Sequence, residues 1–509
     1  MTLPNATHGD YVVGIVGTGA MGRGIAQICA QAGLSVKLFD VAGGAAEAAR
    51  QSVAGTFTML ADKGRMTAGE AAAATARMSA VGDLAALADA AVVVEAIVER
   101  LDAKQGLFRD LEAIVAPEAI LATNTSSLSV TAIGAGCARP ERVAGFHFFN
   151  PVPLMKVVEV VRGLRTAPAV LDFLHALGRR CGHQTVATQD TPGFLVNHAG
   201  RGLHTEGLRI LQEGVADTVT IDRVMREAAG FRMGPFELLD LTGLDVSGPV
   251  MEQIYGQFYQ EPRFRPAPVV AQRIAGGMLG RKTGEGWYRY EGGQKQEPAE
   301  APAAADAAAA TVWIGRAEPD LADRLRGLLA EAGVALDAGD RPGAASLCLV
   351  TPVGTDATTA ALREGLDPTR TLAVDMLFDL SKRLTVMATP ATAPAMREAA
   401  RAVLAATGRA VSVVNDSAGF IAQRIVATIV NIGSDIAQQR IATPEDIDLA
   451  VRLGLGYPKG PLGLGDMLGA ATVLRILEEM QAVYGDPRYR PSPWLRRRAQ
   501  LGLSLLTPE

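Results

Sequence analysis

Residues 11–33 read YVVGIVGTGAMGRGIAQICAQAG, and residues 35–40 follow as SVKLFD. The opening run is short, apolar and ends in glycine, as a buried strand does. Gly17, Gly19 and Gly22 then form G-x-G-x-x-G where that strand gives way to a helical stretch. In such a turn the first glycine permits the tight reversal. The second lets backbone approach a pyrophosphate, and the third lets helix pack closely on strand. The helix N-terminus adds N–H donors and a favourable dipole for phosphates. Asp40 ends the second strand, where a carboxylate accepts hydrogen bonds from the adenosine ribose hydroxyls and repels a 2′-phosphate. Arg23 leans towards a phosphorylated ribose, but Asp40 is the stronger signal. The stretch therefore predicts a Rossmann-type domain that binds NAD. The competing reading is a glycine-rich turn in another α/β fold.

Working outward, AAVVVEAI (90–97), AILATNTS (119–126) and RVAGFHFFN (142–150) are further strands separated by helical or turn sequence. That alternation predicts a doubly wound parallel sheet. From about residue 190 the pattern turns helical, as in GFLVNHAGRGLHTEGLRILQEG (193–214). Residues 291–310, EGGQKQEPAEAPAAADAAAA, are a low-complexity tract that reads as a linker. A shift of 226 residues superimposes Asp190, Gly193 and Phe194 on Asp416, Gly419 and Phe420. It also pairs Arg226, Gly234, Pro235 and Asp240 with Arg452, Gly460, Pro461 and Asp466. The helical domain is thus duplicated. Upstream of its second copy, TVWIG, ASLCLVTP, TLAVDM and RLTVMATP look like a degenerate Rossmann domain without the glycine fingerprint. The last two are expected in the places of AILATNTS and RVAGFHFFN. The expected architecture is an α/β dinucleotide-binding domain (1–189), an all-α domain (190–290), a linker (291–311), and degenerate copies of both (312–411, 412–509).

Composition narrows the function. The 509 residues are 48% hydrophobic and 20% charged, which excludes a mostly disordered chain. A net charge of −5 argues against nucleic acid or an anionic membrane as partner. Four scattered cysteines with no CxxC predict neither a disulfide framework nor a metal site. No basic-then-apolar leader opens the chain, and no apolar run of about 18 residues occurs. The expectation is a cytoplasmic enzyme. Residues 487–498 are basic and aromatic, and read as a solvated terminal stretch.

Removing a hydroxyl proton at neutral pH suits histidine. All six histidines lie at or before residue 204. His8 falls in a tail, and His175, His183, His198 and His204 have surface-like contexts. His147 ends an apolar strand followed by the rigid Asn150-Pro151-Val152-Pro153 turn. Glu159 is the single charge in KVVEVV, and a buried carboxylate is costly unless paired. Two strands joined by that short turn can bring Glu159 to His147, fixing the imidazole tautomer. The bland readings are a packed strand-end histidine and a water-facing edge strand.

NTSSLSVTAI, RVAGFHFFNPVPLMKVVEVV, DTPGFLVN, GFRMGPFELLDLTGLD and LGRKTGEGWYRY, in that order, resemble the L-3-hydroxyacyl-CoA dehydrogenases. The resemblance implies that His147 is the catalytic base and Glu159 its partner. It further implies that Ser126 and Asn197 contact the reacting oxygen, and that Glu99 and Lys104 lie on the nicotinamide side. Ser52 and Lys63 are candidates for contacts to the CoA of an acyl-CoA substrate. The two-copy length and the tail YGDPRYRPSPWLRRR resemble the long members of the family, which oxidise 3-hydroxyadipyl-CoA in phenylacetate degradation. A distal carboxylate would want a basic residue, and Arg201 and Arg232 flank family motifs. The alternatives are a 3-hydroxybutyryl-CoA substrate and a non-catalytic, repurposed relative. Gln423 takes the place of Asn197 in the second copy, so that half is not expected to catalyse. Short members dimerise through the helical domain. Here its second copy is expected to pack on the first as an intramolecular pseudo-dimer, with homo-oligomerisation open.

Overall fold

The computed structural model describes residues 5–7, 9–300 and 310–509. His8 and residues 301–309 of the expected linker lie outside the described residues. The chain divides into two compact units, Met1–His198 with Gln439–Leu455, and Ala199–Gln438 with Gly456–Glu509. These do not follow the domain boundaries expected from sequence.

The first unit is built on an eight-stranded sheet. Its strands are β1 (Val12–Val16), β2 (Ser35–Phe39), β3 (Met78–Ala80), β4 (Ala90–Glu95), β5 (Ile120–Thr123), β6 (Val143–Phe148), β7 (Val157–Arg162) and β8 (Gln184–Gln189), in spatial order 3-2-1-4-5-6-7-8. The first six run parallel. The parallel order changes at the end of the sheet: β7 runs antiparallel to β6, and β8 runs parallel to β7. The physical reason is the short Pro-rich connection, which makes a hairpin, whereas a parallel neighbour needs a long crossover. Side chains alternate between two apolar layers. Val13 and Ile15 pack in the layer of Phe146 and Phe148, and Val16 in that of Val93 and Leu121. Helices therefore cover both faces. The helix Pro444–Leu455, from the second helical copy, packs on β7 and β8. Asp446 accepts the Ala187 N–H at 3.2 Å, and Ile441 O accepts that of Gln189 at 2.9 Å.

The second unit holds the rest of both helical copies and the second sheet. Helices Arg201–Gln212 and Ala422–Gln438 cross where Gly202 meets Ile429, and a Cβ on Gly202 would lie 3.0 Å from Ile429 Cγ1. Every residue from Ala422 to Ser434 is buried, so this helix is enclosed on all sides. Arg424 donates to Glu206, and Glu206 also accepts from Tyr489. Arg488, Tyr489, Trp494 and Arg498 are buried, so the tail read as solvated is core. Its basic heads find acceptors while its aromatic bodies pack. The expected linker also starts too early. Gln294–Gln296 (β10) pairs with Arg289–Glu291 (β9), and Glu297 binds Arg223 and Arg226.

The second sheet runs β11 (Val312–Ile314), β12 (Leu347–Val350), β13 (Thr371–Val374), β14 (Arg383–Ala388) and β15 (Ala410–Asn415) in that order. Strand β14 is antiparallel to β13 and parallel to β15. Its register, Arg383 opposite Ala410, repeats that of Val157 opposite Gln184 at the 226-residue offset. RLTVMATP is therefore the counterpart of β7 and not, as expected, of RVAGFHFFN. In both sheets this strand pairs antiparallel with the one before it, so β13, TLAVDM, is the counterpart of β6 and not, as expected, of AILATNTS, and β12 is that of β5. Val386 lies opposite Val374, as Val160 lies opposite Phe146. One residue further on, Asp375 stands at the place of His147, its N–H bonded to the carbonyl of Thr385, which stands at the place of Glu159. The helix Thr218–Glu227, from the first helical copy, packs on β14, with Arg383 paired to Glu227 at 3.0 Å.

Gln423 is fully buried. Its amide accepts the Gly354 N–H at 2.8 Å and donates to Asp375 at 3.0 Å. Burial pushes the Asp375 carboxyl up to about 6, and the Gln423 bond pulls the other way. Gln423→Ala should lower stability in urea unfolding by about 1–3 kcal/mol, the cost of stranding buried polar groups. An unchanged midpoint would show that these bonds contribute nothing.

Candidate active site

The glycine turn behaves as its sequence requires. Gly17 has φ of 92°, and a Cβ there would fall 2.5 Å from Ala96 O. A Cβ on Gly22 would lie 1.9 Å from Gly17 O, so the helix Ala20–Gln31 could not approach β1 with any side chain there. A Cβ on Gly19 would meet nothing within 4 Å, because it points into open space. That space belongs to a cavity of about 690 Å³ lined by Gly17, Thr18, Gly19, Asp40, Ala96 and Ile97 among others. Asp40 Oδ2 accepts the Thr18 N–H and hydroxyl, both at 2.8 Å, and Oδ1 accepts the Ala42 N–H at 3.0 Å. Burial pushes this carboxyl up, but those donors outweigh it and hold it below the usual carboxylate range. An anion is therefore fixed at the end of β2, beside an open phosphate approach. The cleft fits a dinucleotide with a free ribose 2′-hydroxyl.

His147 and Glu159 are direct cross-strand partners on β6 and β7. His147 Nδ1 lies 2.5 Å from Glu159 Oε2. Glu159 is 0% exposed and His147 4%. The other carboxylate oxygen accepts the N–H groups of Leu195 at 3.0 Å and Val196 at 2.7 Å. Glu159 thus fixes the imidazole and also the backbone that leads into Asn197. With Nδ1–H donated to Glu159, Nε2 is left as the acceptor. Phe149 and Phe194 rings flank the imidazole, with centroids at 4.5 and 5.7 Å.

Ser126 follows β5, the parallel neighbour of β6, and so lies at the same sheet end as His147. Glu99 holds its loop, accepting from the N–H groups of Ser126 and Ser127 and the hydroxyls of Thr125 and Ser127. Burial raises the Glu99 carboxyl, but Lys104 and these hydroxyls outweigh it and lower it. Lys104 is 1% exposed, with Nζ 2.5 Å from Glu95 and 3.2 Å from Glu99. Ser52 and Lys63 are exposed on, and just beyond, the helix Ala45–Asp62.

Sequence reasoning missed Glu95, which organises Lys104, Thr123 and the Ile97 N–H. It carries the signal used for Glu159, a lone charge in an apolar strand. Asp190 was also missed as a site residue. It accepts from Val130 N, Thr131 N and the Ser129 hydroxyl, securing the helix that follows the Ser126 loop. The surface reading of His183, His198 and His204 is overturned, since all three are buried. His183 fills its site by bonding the Cys181 and Val152 carbonyls. Arg232 is exposed and Arg201 buried. No three-carboxylate, cysteine or histidine cluster suited to a metal occurs among the described residues.

A dinucleotide cleft beside an oriented histidine defines an NAD-dependent oxidoreductase. The description "3-hydroxyacyl-CoA dehydrogenase, NAD binding domain" matches residues 12–191. The matching "C-terminal domain" covers residues 193–290 and again 419–504, the same helical domain twice. The chain belongs to the 3-hydroxyacyl-CoA dehydrogenase family and uses NAD. A 3-hydroxyadipyl-CoA dehydrogenase of Escherichia coli is 37% identical over 96% of this chain and 97% of its own. A solved 3-hydroxybutyryl-CoA dehydrogenase of Escherichia coli superimposes with a TM-score of 0.83 at 36% identity, covering 97% of this chain and 99% of that one. A probable 3-hydroxybutyryl-CoA dehydrogenase of Bacillus subtilis is 39% identical, over 54% of this chain and 96% of its own.

Asp40→Ala should lower the kcat/KM ratio of NAD to NADP by about 10- to 100-fold, as expected for a charged acceptor lost. Wild-type preference for NADP would show that Asp40 does not read the ribose.

Proposed function

We propose that the chain oxidises (S)-3-hydroxyadipyl-CoA to 3-oxoadipyl-CoA at one centre made of His147, Glu159, Ser126 and Asn197. The observation that carries the chemistry is the buried His147–Glu159 pair in cross-strand register. NAD bound along Gly17, Gly19, Gly22 and Asp40 supplies the hydride acceptor. His147 Nε2 takes the 3-hydroxyl proton, and Glu159 faces the charge that the imidazole gains. Ser126 and Asn197 donate to the oxygen as it becomes a carbonyl, holding the reacting geometry. Glu99 and Lys104 set the Ser126 loop on the nicotinamide side. Ser52 and Lys63 supply the CoA contacts.

The adipyl chain is favoured by the relative of matching length that bears that name. A 3-hydroxybutyryl-CoA substrate is the second reading, favoured by the solved structure named for it. The presence of all four site residues speaks against a non-catalytic relative. The second half lacks a histidine, the glycine fingerprint and the asparagine, and serves as an internal partner. Two exchanges support the pseudo-dimer reading. The helix Pro444–Leu455 packs on β7 and β8, and its counterpart Thr218–Glu227 packs on β14. No described helix is long and apolar enough to cross a membrane. Four free cysteines favour a reducing, cytoplasmic setting.

His147→Gln should lower kcat by about 10²–10⁴-fold, the usual worth of a general base. Glu159→Gln should cost on the order of 10²-fold, because it leaves the imidazolium without its counter-charge. The measurement is NADH formation at saturating substrate. Wild-type kcat in either variant would remove that residue from the mechanism.

A further inference from the structure

The β5–β6 ladder ends at Thr123, which lies opposite Gly145. Strand β6 runs on through Phe146, His147 and Phe148, paired there with β7 alone. Phe148 is 1% exposed, so its backbone N–H needs a partner on the side that β5 has left. Asn124 supplies it, Oδ1 accepting that N–H at 2.8 Å. The Asn124 backbone N–H donates to Glu95 O, also at 2.8 Å. The Glu95 carboxylate is itself fixed by Lys104, Thr123 and the Ile97 N–H. Asn124 thus ties together the carboxyl ends of β4, β5 and β6. It stands two residues before Ser126, and its side chain bonds the residue after His147.

The second α/β domain shows which of these contacts folding requires. Val350 lies opposite Ala373 as Thr123 lies opposite Gly145, so Thr351 stands at the place of Asn124 and Val353 at that of Ser126. The loop has the same length in both copies, since Ser129 caps the next helix in one and Asp356 in the other. Asp190 and Asp416 secure those two helices alike. The loop therefore forms with threonine at its first position, whose hydroxyl sits one bond nearer the main chain than an asparagine Oδ1. Asparagine at this place disappears together with the serine, histidine, glutamate and second asparagine of the centre.

We propose that Asn124 is a positioning residue for the hydride transfer, setting the spacing between Ser126 and His147 by clamping the end of β6 to the start of the Ser126 loop. Glu159 fixes how the imidazole is turned. Asn124 fixes where the strand end that carries it lies. Ser126 and His147 address the same oxygen, so an error in their spacing is felt in the transition state more than in ground-state binding. Loss of the clamp falls on kcat and spares KM. The inference rests on the roles given above to His147 and Ser126.

The test measures kcat and KM in wild type, Asn124→Thr, Asn124→Leu and Asn124→Asp, with His147→Gln alongside. Both 3-hydroxybutyryl-CoA and 3-hydroxyadipyl-CoA are used, so that the outcome does not hang on the acyl chain. Rates are expressed per NAD-binding site from calorimetric titration, which removes misfolded protein from the count. Asn124→Thr installs the residue that the second copy carries, and Asn124→Leu keeps the volume without an acceptor. Each should lower kcat per site by about 10- to 100-fold, with KM nearly unchanged. Asn124→Asp keeps an acceptor for the Phe148 N–H while dropping the amide donors, and should recover kcat to within several-fold of wild type. Wild-type kcat per site in Asn124→Thr, or a loss confined to KM, overturns the proposal. So does an Asn124→Asp as slow as Asn124→Leu, because the bond to Phe148 would then not be the operative one. Should Asn124→Leu fold poorly, Asn124→Thr decides. If His147→Gln keeps wild-type kcat, the centre itself is misassigned and the inference falls with it. If His147→Gln is slow and Asn124→Thr is not, only the role of Asn124 is lost.

Discussion

The active centre depends on one buried carboxylate. Glu159 sits in the interior of a sheet, where an ionised oxygen without partners would be prohibitive. It is satisfied from two directions. One oxygen holds the His147 ring, and the other holds the N–H groups of Leu195 and Val196. The same atoms that make the charge tolerable therefore orient the base and position the segment bearing Asn197. Removing the carboxylate would release both at once. This is why the β6–β7 hairpin, rather than the glycine turn alone, defines the chemistry.

The second half shows what happens when that constraint is lifted. With Asp375 at the place of the histidine there is no imidazole to orient, and Thr385 occupies the carboxylate's position. Gln423 then turns inward to satisfy Asp375 and Gly354. What persists is the architecture that holds helices to sheets. Asp190 accepts from Val130 and Thr131 in the first copy, as Asp416 does from Ala357 and Thr358 in the second. Gly207 lies against Pro235, and Gly433 against Pro461, at the same offset. Packing contacts recur in both copies, while the chemical groups occur in one.

Much of this was legible in the sequence because it is local. The glycine turn, Asp40 and the lone Glu159 each follow from spacing and from the cost of burying charge. The duplicated helical domain could be read from glycines and prolines whose backbone demands do not change. Other features were not legible, because they depend on which strand pairs with which. RLTVMATP matches either β6 or β7 in composition, and only its antiparallel pairing with β13 decides for β7. The burial of His204 and of the tail around Tyr489 depends on helices brought together across hundreds of residues. No periodicity within either segment reports that.

The central claim is that one chain carries one competent centre. Calorimetric titration of the full-length protein with NAD tests it most directly, since the binding stoichiometry counts cofactor sites regardless of turnover. The account predicts one NAD per chain. Two would contradict it, because the second α/β domain would then bind cofactor without the glycine fingerprint that the first relies on.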